Sequence, residues 1–309
     1  MPLQQYHPGQ IQVQEEANSR GVADHLADWT GPAAEFAAEA DLLVLSTANK
    51  DGSLALHFLA GQPPLVEVVG DPRIRFAMPH GAAPLPEGKC GGLAINLGVA
   101  RRVRINGIVS HVKGAAEMQL SEAFTLCRKY MAPSVSKIAG AVSGAPRRKP
   151  VEPGDPWVQD VLARAETSFL ATISPEGWPD VAHRGGPAPF ITLDSATKKL
   201  AWPEFVGDGV FKSAGNARVT GRMTMLVPDL ETGDAVELVG RGNYKNERVL
   251  RQERREPLVQ FKASYPMQGR MECAVEAAFR VEGLMPARQR IEKAIKITSA
   301  SHPDEQAPQ

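Results

Sequence analysis

The chain has 309 residues, more than one average domain, and its 43% hydrophobic and 23% charged content suits a globular protein with a sizeable core. Lysine plus arginine (35) balances aspartate plus glutamate (35), which excludes a bulk positive field for nucleic acid or an anionic membrane; an anion must be met by a local cluster. Cys90, Cys127 and Cys273 are odd in number and lack metal-ligand spacing, and neither a leader peptide nor a membrane-length apolar run is present, so reduced thiols, no metal and a cytoplasmic location are expected.

Residues 1–14 lack periodicity and read as an arm over the core, and residues 15–40 are rich in alanine and glutamate, with Pro32 near a helix start. Leu42–Thr47 and Leu54–Leu59 flank Asn49-Lys50-Asp51-Gly52 and predict a hairpin, because Asp-Gly tolerates the positive φ of a tight turn. Strands are expected over Gly92–Val99 and Arg102–Ser110. In the second, Val103, Ile105, Gly107 and Val109 share one face, and Arg102, Arg104 and Asn106 take the other, read here as solvated. A helix is expected over Leu120–Met131. Pro133–Pro156, rich in Ser, Ala, Gly and Pro, reads as a linker whose Arg147-Arg148-Lys149 is solvated rather than a nucleic-acid contact.

The second half opens with Asp155 as N-cap, Pro156 at the first helical position, and Val158, Val161, Leu162 and Ala165 at helical spacing. Strands follow over Ser168–Ser174, Trp178–His183, Pro189–Leu193 and Lys199–Pro203, then on alternating residues from Val219 to Val227. Finally, Met271, Cys273, Val275, Ala277, Phe279 and Val281 share one face, making Cys273 a core residue. Many short strands with helices at the edges and no βαβ alternation predict a mainly β fold with flanking helices, an antiparallel barrel. No dinucleotide or P-loop fingerprint is present.

Ala40–Gly61 aligns on Ala165–Gly186 without a gap, placing Asp51-Gly52 on Glu176-Gly177 and Gly61 on Gly186. The repeat predicts a duplicated unit. Its copies differ at one point of chemical interest: Phe58-Leu59 in the first becomes His183-Arg184 in the second, directly before Gly185-Gly186. An arginine fork beside two glycines predicts an anion site, which only the second copy carries.

The motifs Ala182-His183-Arg184-Gly185-Gly186, Ala188-Pro189-Phe190, Leu200-Ala201-Trp202-Pro203-Glu204-Phe205 and Ser213-Ala214-Gly215-Asn216 resemble the pyridoxamine 5′-phosphate oxidase-like proteins with the FMN-binding split-barrel fold. More narrowly, they resemble its double-barrel branch. Tyr6-His7-Pro8-Gly9, Arg102 to Gly107 and Cys127-Arg128-Lys129-Tyr130 extend the resemblance into the first half. It implies two tandem split barrels: 1–132 degenerate for cofactor, a linker at 133–154, an FMN-binding barrel at 155–284, and a helix and tail at 285–309. Arg184, Ser213 and Asn216 would hold the FMN phosphate with Lys212 as an extra cation and Gly185 and Gly186 nearby, and Pro203, Glu204 and Phe205 would flank the flavin. His183 is either a proton donor or a structural histidine. The implied activity is that of an FMN-dependent oxidoreductase acting on a small molecule, with NADH, NADPH or oxygen as redox partner, as a homodimer or by internal pairing of the barrels. A non-catalytic flavin carrier and a haem-binding split barrel are the alternatives.

Overall fold

The computed structural model describes residues 6–21, 31–70, 72–78, 83–112, 114–131, 136–139, 145–247 and 265–290. The N-terminal arm becomes a helix, α1 (Pro8–Glu16), because His7 and Gln10 form a capping box. The His7 ring accepts from Gly9 N at 3.1 Å, and the Gln10 side chain accepts from His7 N at 3.2 Å. After α2 (Gly31–Ala38) come β1 (Leu42–Ala48), β2 (Leu54–Ala60), β3 (Glu67–Gly70), β4 (Arg73–Phe76), β5 (Gly88–Asn96), β6 (Arg101–Val112) and β7 (Ala115–Thr125). They form one antiparallel sheet in the order β2-β1-β5-β6-β7-β4-β3.

Two short strands, β8 (Ser136–Ile138) and β9 (Arg147–Pro150), lead to α3 (Pro156–Arg164), where Asp155 caps the N–H of Trp157 at 2.8 Å. The second sheet uses β10 (Thr167–Ile173), β11 (Pro179–Gly185), β12 (Thr192–Asp194), β13 (Lys199–Phe205), β14 (Arg222–Pro228), β15 (Ala235–Asn246) and β16 (Met267–Glu282). A helix, α4 (Lys212–Thr220), lies between β13 and β14, and β17 (Arg288–Arg290) ends the described chain.

The second sheet runs β11-β10-β14-β15-β16-β13-β12, the same path as the first, strand for strand. Its register repeats too. Leu42 faces Ala60 across the first hairpin and Thr167 faces Gly185 across the second, and each hairpin is closed by a glycine N–H donating to an acidic residue's carbonyl, Gly61 to Asp41 and Gly186 to Glu166. Even the β-bulges correspond, at Asn106/Gly107 against β7 and at Val239/Gly240 against β16. A duplicated, mainly β fold with flanking helices is therefore what the chain adopts.

The halves pack reciprocally: β5 lies against β11 and β14 against β2, while β1 meets β11 and β10 meets β2. Such exchange of contacts is the mark of a two-fold relation, here built within one chain. Each half has its own apolar core, and a third cluster seals the joint with Val44, Phe58, Leu93, Phe169, Val181 and Leu226. Phe58 and Phe169 meet edge to face, centroids 5.6 Å apart. β17 returns to the first half, pairing with β8 and placing Arg288 Nη2 2.6 Å from Asp41 Oδ2.

Several expectations change. Residues 120–125, expected as part of a helix, belong to β7, and nothing helical is described up to Met131. Leu120, Glu122, Ala123 and Phe124 are all buried, so both faces are covered and no two-residue period shows. The alternation in β16 slips opposite Gly240, where the bulge makes Ala278 rather than Ala277 the buried residue. Val219 and Thr220 belong to α4, not to a strand. Within 133–154, Arg148 and Lys149 lie in β9 and pair with Glu237 and Glu282. Of residues 285–309, expected as a helix and tail, 285–290 contain no helix and end in β17, and 291–309 lie outside the described residues.

Arg102, Arg104 and Asn106 differ most from expectation. Their face of β6 is turned to the second half, and they are 8%, 4% and 0% exposed. Strand periodicity separates two faces but does not say that the polar one meets another barrel.

Candidate functional site

Between the halves opens a cleft of about 720 Å³, part of it open to solvent. The second half contributes the end of β11 (Ala182 to Gly185), the end of β13 (Pro203 to Phe205) and the approach to α4 (Gly207 to Ser213). The first half contributes Arg102, Arg104, Cys127, Lys129 and Tyr130. Five of the lining residues are cationic, Arg102, Arg104, Lys129, Arg184 and Lys212, against two anionic ones, Glu204 and Asp208. The neutral chain thus concentrates positive charge at one place.

Arg184 projects from β11 and is oriented by Glu204, whose Oε1 accepts from its Nε at 2.8 Å and from Trp202 Nε1 at 2.9 Å. A second guanidinium nitrogen donates to the carbonyl of His183 at 3.2 Å. Gly185 is required for a close approach: a Cβ there would overlap the carbonyl of Tyr130 in the first half. Gly186 sits behind the cleft wall, where a Cβ would fall 2.8 Å from the Phe205 ring.

Helix α4 begins at the cleft, with Phe211, Lys212 and Ser213 all lining it. Its N-cap, Phe211, has φ 50° and no side-chain cap, so first-turn N–H groups that no helix satisfies internally are left for an outside acceptor. The Ser213 hydroxyl is buried and has no hydrogen-bond partner among the described residues. Lys212 is held from behind, its Nζ 2.5 Å from Glu122 Oε2 of the first half. That carboxylate also accepts from Asn106 Nδ2 at 2.8 Å, and Asn106 reaches Asp180 Oδ1 at 3.1 Å, which in turn lies 3.2 Å from Arg104 Nε. A buried polar chain of alternating charge and amide therefore fastens the halves beneath the cleft.

Asn216, expected at a phosphate, is instead placed behind α4. Its Oδ1 accepts from His7 Nε2 at 2.8 Å and Gln10 Nε2 at 3.0 Å, and its Nδ2 donates to Thr172 Oγ1 at 3.0 Å. These bonds, with Gly9 and Gly215 at the crossing, dock α1 on α4. Asn216 therefore fixes the helix that carries Ser213.

His183 accepts at Nδ1 from Arg102 Nη1, 2.6 Å away. Because an arginine only donates, the imidazole is neutral and carries its proton on Nε2. Burial, reinforced by the Arg102 and Arg184 charges, holds its pKa well below the ordinary value. The aromatic wall of the cleft is Tyr130 against Phe205, centroids 5.1 Å apart, with Tyr265 5.5 Å from Tyr130. Burial pushes the Tyr130 hydroxyl up to about 12, and it donates to Val206 O at 2.8 Å.

The structure brings His183, Arg184, Gly185, Pro203, Glu204, Phe205, Lys212 and Ser213 to one cleft and leaves Gly186 and Asn216 behind it. The sequence reading missed the first half's share, Arg102, Arg104, Glu122, Lys129 and Tyr130. The available signal was three polar residues at alternating positions, Arg102, Arg104 and Asn106, on a strand whose other face is apolar. All three cysteines are free, and burial pushes the Cys90 and Cys273 thiols up to about 12, so neither is a reactive thiolate. Among the described residues no cluster could hold a metal ion, and no helix is long and apolar enough to cross a membrane.

No family model and no curated protein matches the sequence. Among solved structures, the chain is similar to the HupZ protein of Group A Streptococcus (17% identity, TM-score 0.28), covering 40% of this chain and 89% of that one. It is similar to an F420 reductase (18%, TM-score 0.27; 39% and 94% covered). It is also similar to a protein of Clostridium acetobutylicum related to general stress protein 26, of the pyridoxinephosphate oxidase family (10%, TM-score 0.29; 43% and 90%). Each likeness covers less than half of this chain. The class of protein is set by its own strand order, register and cleft: a tandem pair of split β-barrels with a basic, aromatic-walled cleft at their joint.

Proposed function

We propose that this chain binds FMN in the cleft and acts as a flavin-dependent oxidoreductase on a small molecule, with NADH, NADPH or oxygen as redox partner. The observation that carries the reading is the Ser213 hydroxyl, buried and unbonded among the described residues, at the uncapped start of α4 in the cleft that Arg184 also lines. A phosphate dianion would satisfy that hydroxyl and the first-turn N–H groups together, with Arg184 as charge-assisted donor and Lys212 behind it. Tyr130, Pro203 and Phe205 offer the flat apolar wall that a fused ring system needs.

FMN would supply hydride or electron transfer, and the protein's part is binding and orientation. Glu204 aims Arg184, Asn216 fixes α4, and the first half closes the cleft. The joint that a single barrel would obtain by dimerising is made here inside the chain. His183 is neutral, its buried Nε2–H has no acceptor among the described residues and, with Nδ1 occupied by Arg102, it is not free to take a proton there. The same tautomer argues against haem, since the Nε2 lone pair that would ligate iron is already protonated. The locked imidazole also favours a second reading, a flavin carrier without turnover.

Titration with FMN, followed by absorbance and calorimetry, tests the binding. Wild type is expected to bind and turn yellow, and Arg184→Ala to bind roughly 10- to 100-fold more weakly, the loss of a charge-assisted contact. Equal FMN affinity in Arg184→Ala would overturn the phosphate assignment. Reduction of the bound flavin by NADH or NADPH and its reoxidation by oxygen or another acceptor separates the enzyme from the carrier.

A further inference from the structure

Arg102 is more than nine-tenths buried, yet no carboxylate pairs with it among the described residues. Every group it touches is neutral. Nη1 donates to His183 Nδ1 at 2.6 Å, Nε to the Cys127 carbonyl at 3.0 Å, and Nη2 to the Lys129 carbonyl at 3.3 Å, with the Cys127 sulfur at 3.6 Å. Three of the other four cations of the cleft are different. Arg104 has Asp180, Arg184 has Glu204, and Lys212 has Glu122. A buried guanidinium satisfied in hydrogen bonds but not in charge is costly unless an anion completes it.

The neighbouring side chain points the same way. Lys129 lines the cleft, is half-buried, and takes part in no ion pair among the described residues. Its own carbonyl accepts from Arg102, so the segment that carries Lys129 is tied to the Arg102 guanidinium. Cys127 and Lys129 reach that position because the chain leaving β7 turns over Arg102 and presses on Gly185 through the Tyr130 carbonyl. The cleft is thus lined by cations from both halves: Arg184 and Lys212, with the start of α4, from the second, and Arg102 and Lys129 from the first.

We infer that Arg102 and Lys129 form a second oxyanion subsite in the cleft, which selects substrates carrying a compact phosphate or carboxylate group. The inference rests on the FMN reading for its division of labour, with the second half holding the cofactor and the first half the substrate's anionic end. In this arrangement Arg102 has two duties. It keeps His183 neutral and oriented through Nδ1, and its charge, uncompensated among the described residues, draws in the substrate anion.

The test uses the full chain, loaded with FMN, titrated by calorimetry with inorganic phosphate and, separately, with succinate. The variants are Lys129→Gln, which keeps a side chain of similar length at a half-buried position, and Arg102→Gln. Wild type is expected to bind at least one of the two probes, and the preferred probe identifies phosphate or carboxylate as the group recognised. Lys129→Gln is expected to weaken that probe about 5-fold or more, and Arg102→Gln at least 10-fold, with FMN affinity kept within about 3-fold in Lys129→Gln. Failure of wild type to bind either anion, or unchanged anion affinity in Lys129→Gln, overturns the subsite. A parallel loss of FMN and probe affinity in Lys129→Gln overturns its separateness from the cofactor site. If wild type takes no FMN, the cofactor reading fails by itself, and the same anion titrations on the unloaded protein still decide the subsite.

Discussion

The two halves share strand order, register and bulges, and differ in what they place at their joint. In the second half, β11 brings His183 and Arg184 to an open cleft; the equivalent positions on β2 are Phe58 and Leu59, both buried in apolar clusters. The chain leaving β7 carries Cys127, Lys129 and Tyr130 to the cleft, while the chain leaving β16 carries Leu284 and Met285 into the joint's apolar core. Helix α4 has no counterpart among the described residues between β4 and β5. One member of the pair of related positions is therefore open and the other is filled. The filled one holds the halves in the orientation that keeps the open one shaped.

The comparison is broken most severely at the polar chain beneath the cleft. In β7, Glu122 faces Asn106 across the sheet, and the bulge-matched position in β16 is Ala277, facing Val239. Glu122→Ala makes the first half resemble the second and strands Lys212, whose side chain is 3% exposed, without its partner. Removing one member of a buried pair costs about 3–5 kcal/mol. Urea denaturation should show a loss of that size and, because Lys212 opens α4, weaker FMN binding. A loss under about 1 kcal/mol would mean that Lys212 escapes to solvent and that the chain does not fasten the halves.

What could be read in advance follows from how local each feature is. The hairpins, the Asp155 cap and the repeat of 40–61 in 165–186 depend on neighbours in sequence, and the structure has them in place. β7 was misread because burial on both faces erases the strand's period, and α4 because Ser213, Gly215 and Asn216 have little helical propensity and the helix is held by α1. Arg184 could be singled out because its motif is contiguous. Arg102, Arg104 and Lys129 could not, because a strand's polar face looks the same whether it meets water or a second barrel.

A smaller effect is expected where the halves touch at backbone distance. The register places Gly185 on Ala60, and only the glycine lies under the Tyr130 carbonyl. Gly185→Ala, the first half's residue in the second half's place, forces β11 and the chain after β7 apart. Overpacking of this kind costs about 1–3 kcal/mol. A thermal melt should register the loss, and FMN affinity should fall with it, since both walls of the cleft move. Full stability and affinity in Gly185→Ala would show that the rim yields freely.

The mildest difference between the halves is a titration. His183 is held neutral by burial and by Arg102 and Arg184, and its folded pKa lies below the unfolded value near 6.5. Below that pH the unfolded chain binds a proton that the folded chain refuses, so the contribution is whole at neutral pH and is lost as pH falls. His57 in β2, pushed down to about 4 by burial, acts in the same direction between 6.5 and about 4. Each histidine can steepen the loss by up to about 1.4 kcal/mol per pH unit. Stability measured by urea should therefore fall between pH 7 and pH 5. His183→Phe, which installs the residue of the equivalent position, should flatten that fall by about one proton's share and leave the share of His57. At pH 7 the variant removes the acceptor for Arg102 Nη1, so its absolute stability drops even as its pH dependence shrinks. A pH profile as steep as that of wild type would show that the imidazole takes up its proton in the folded chain, and that Arg102 does not hold it neutral.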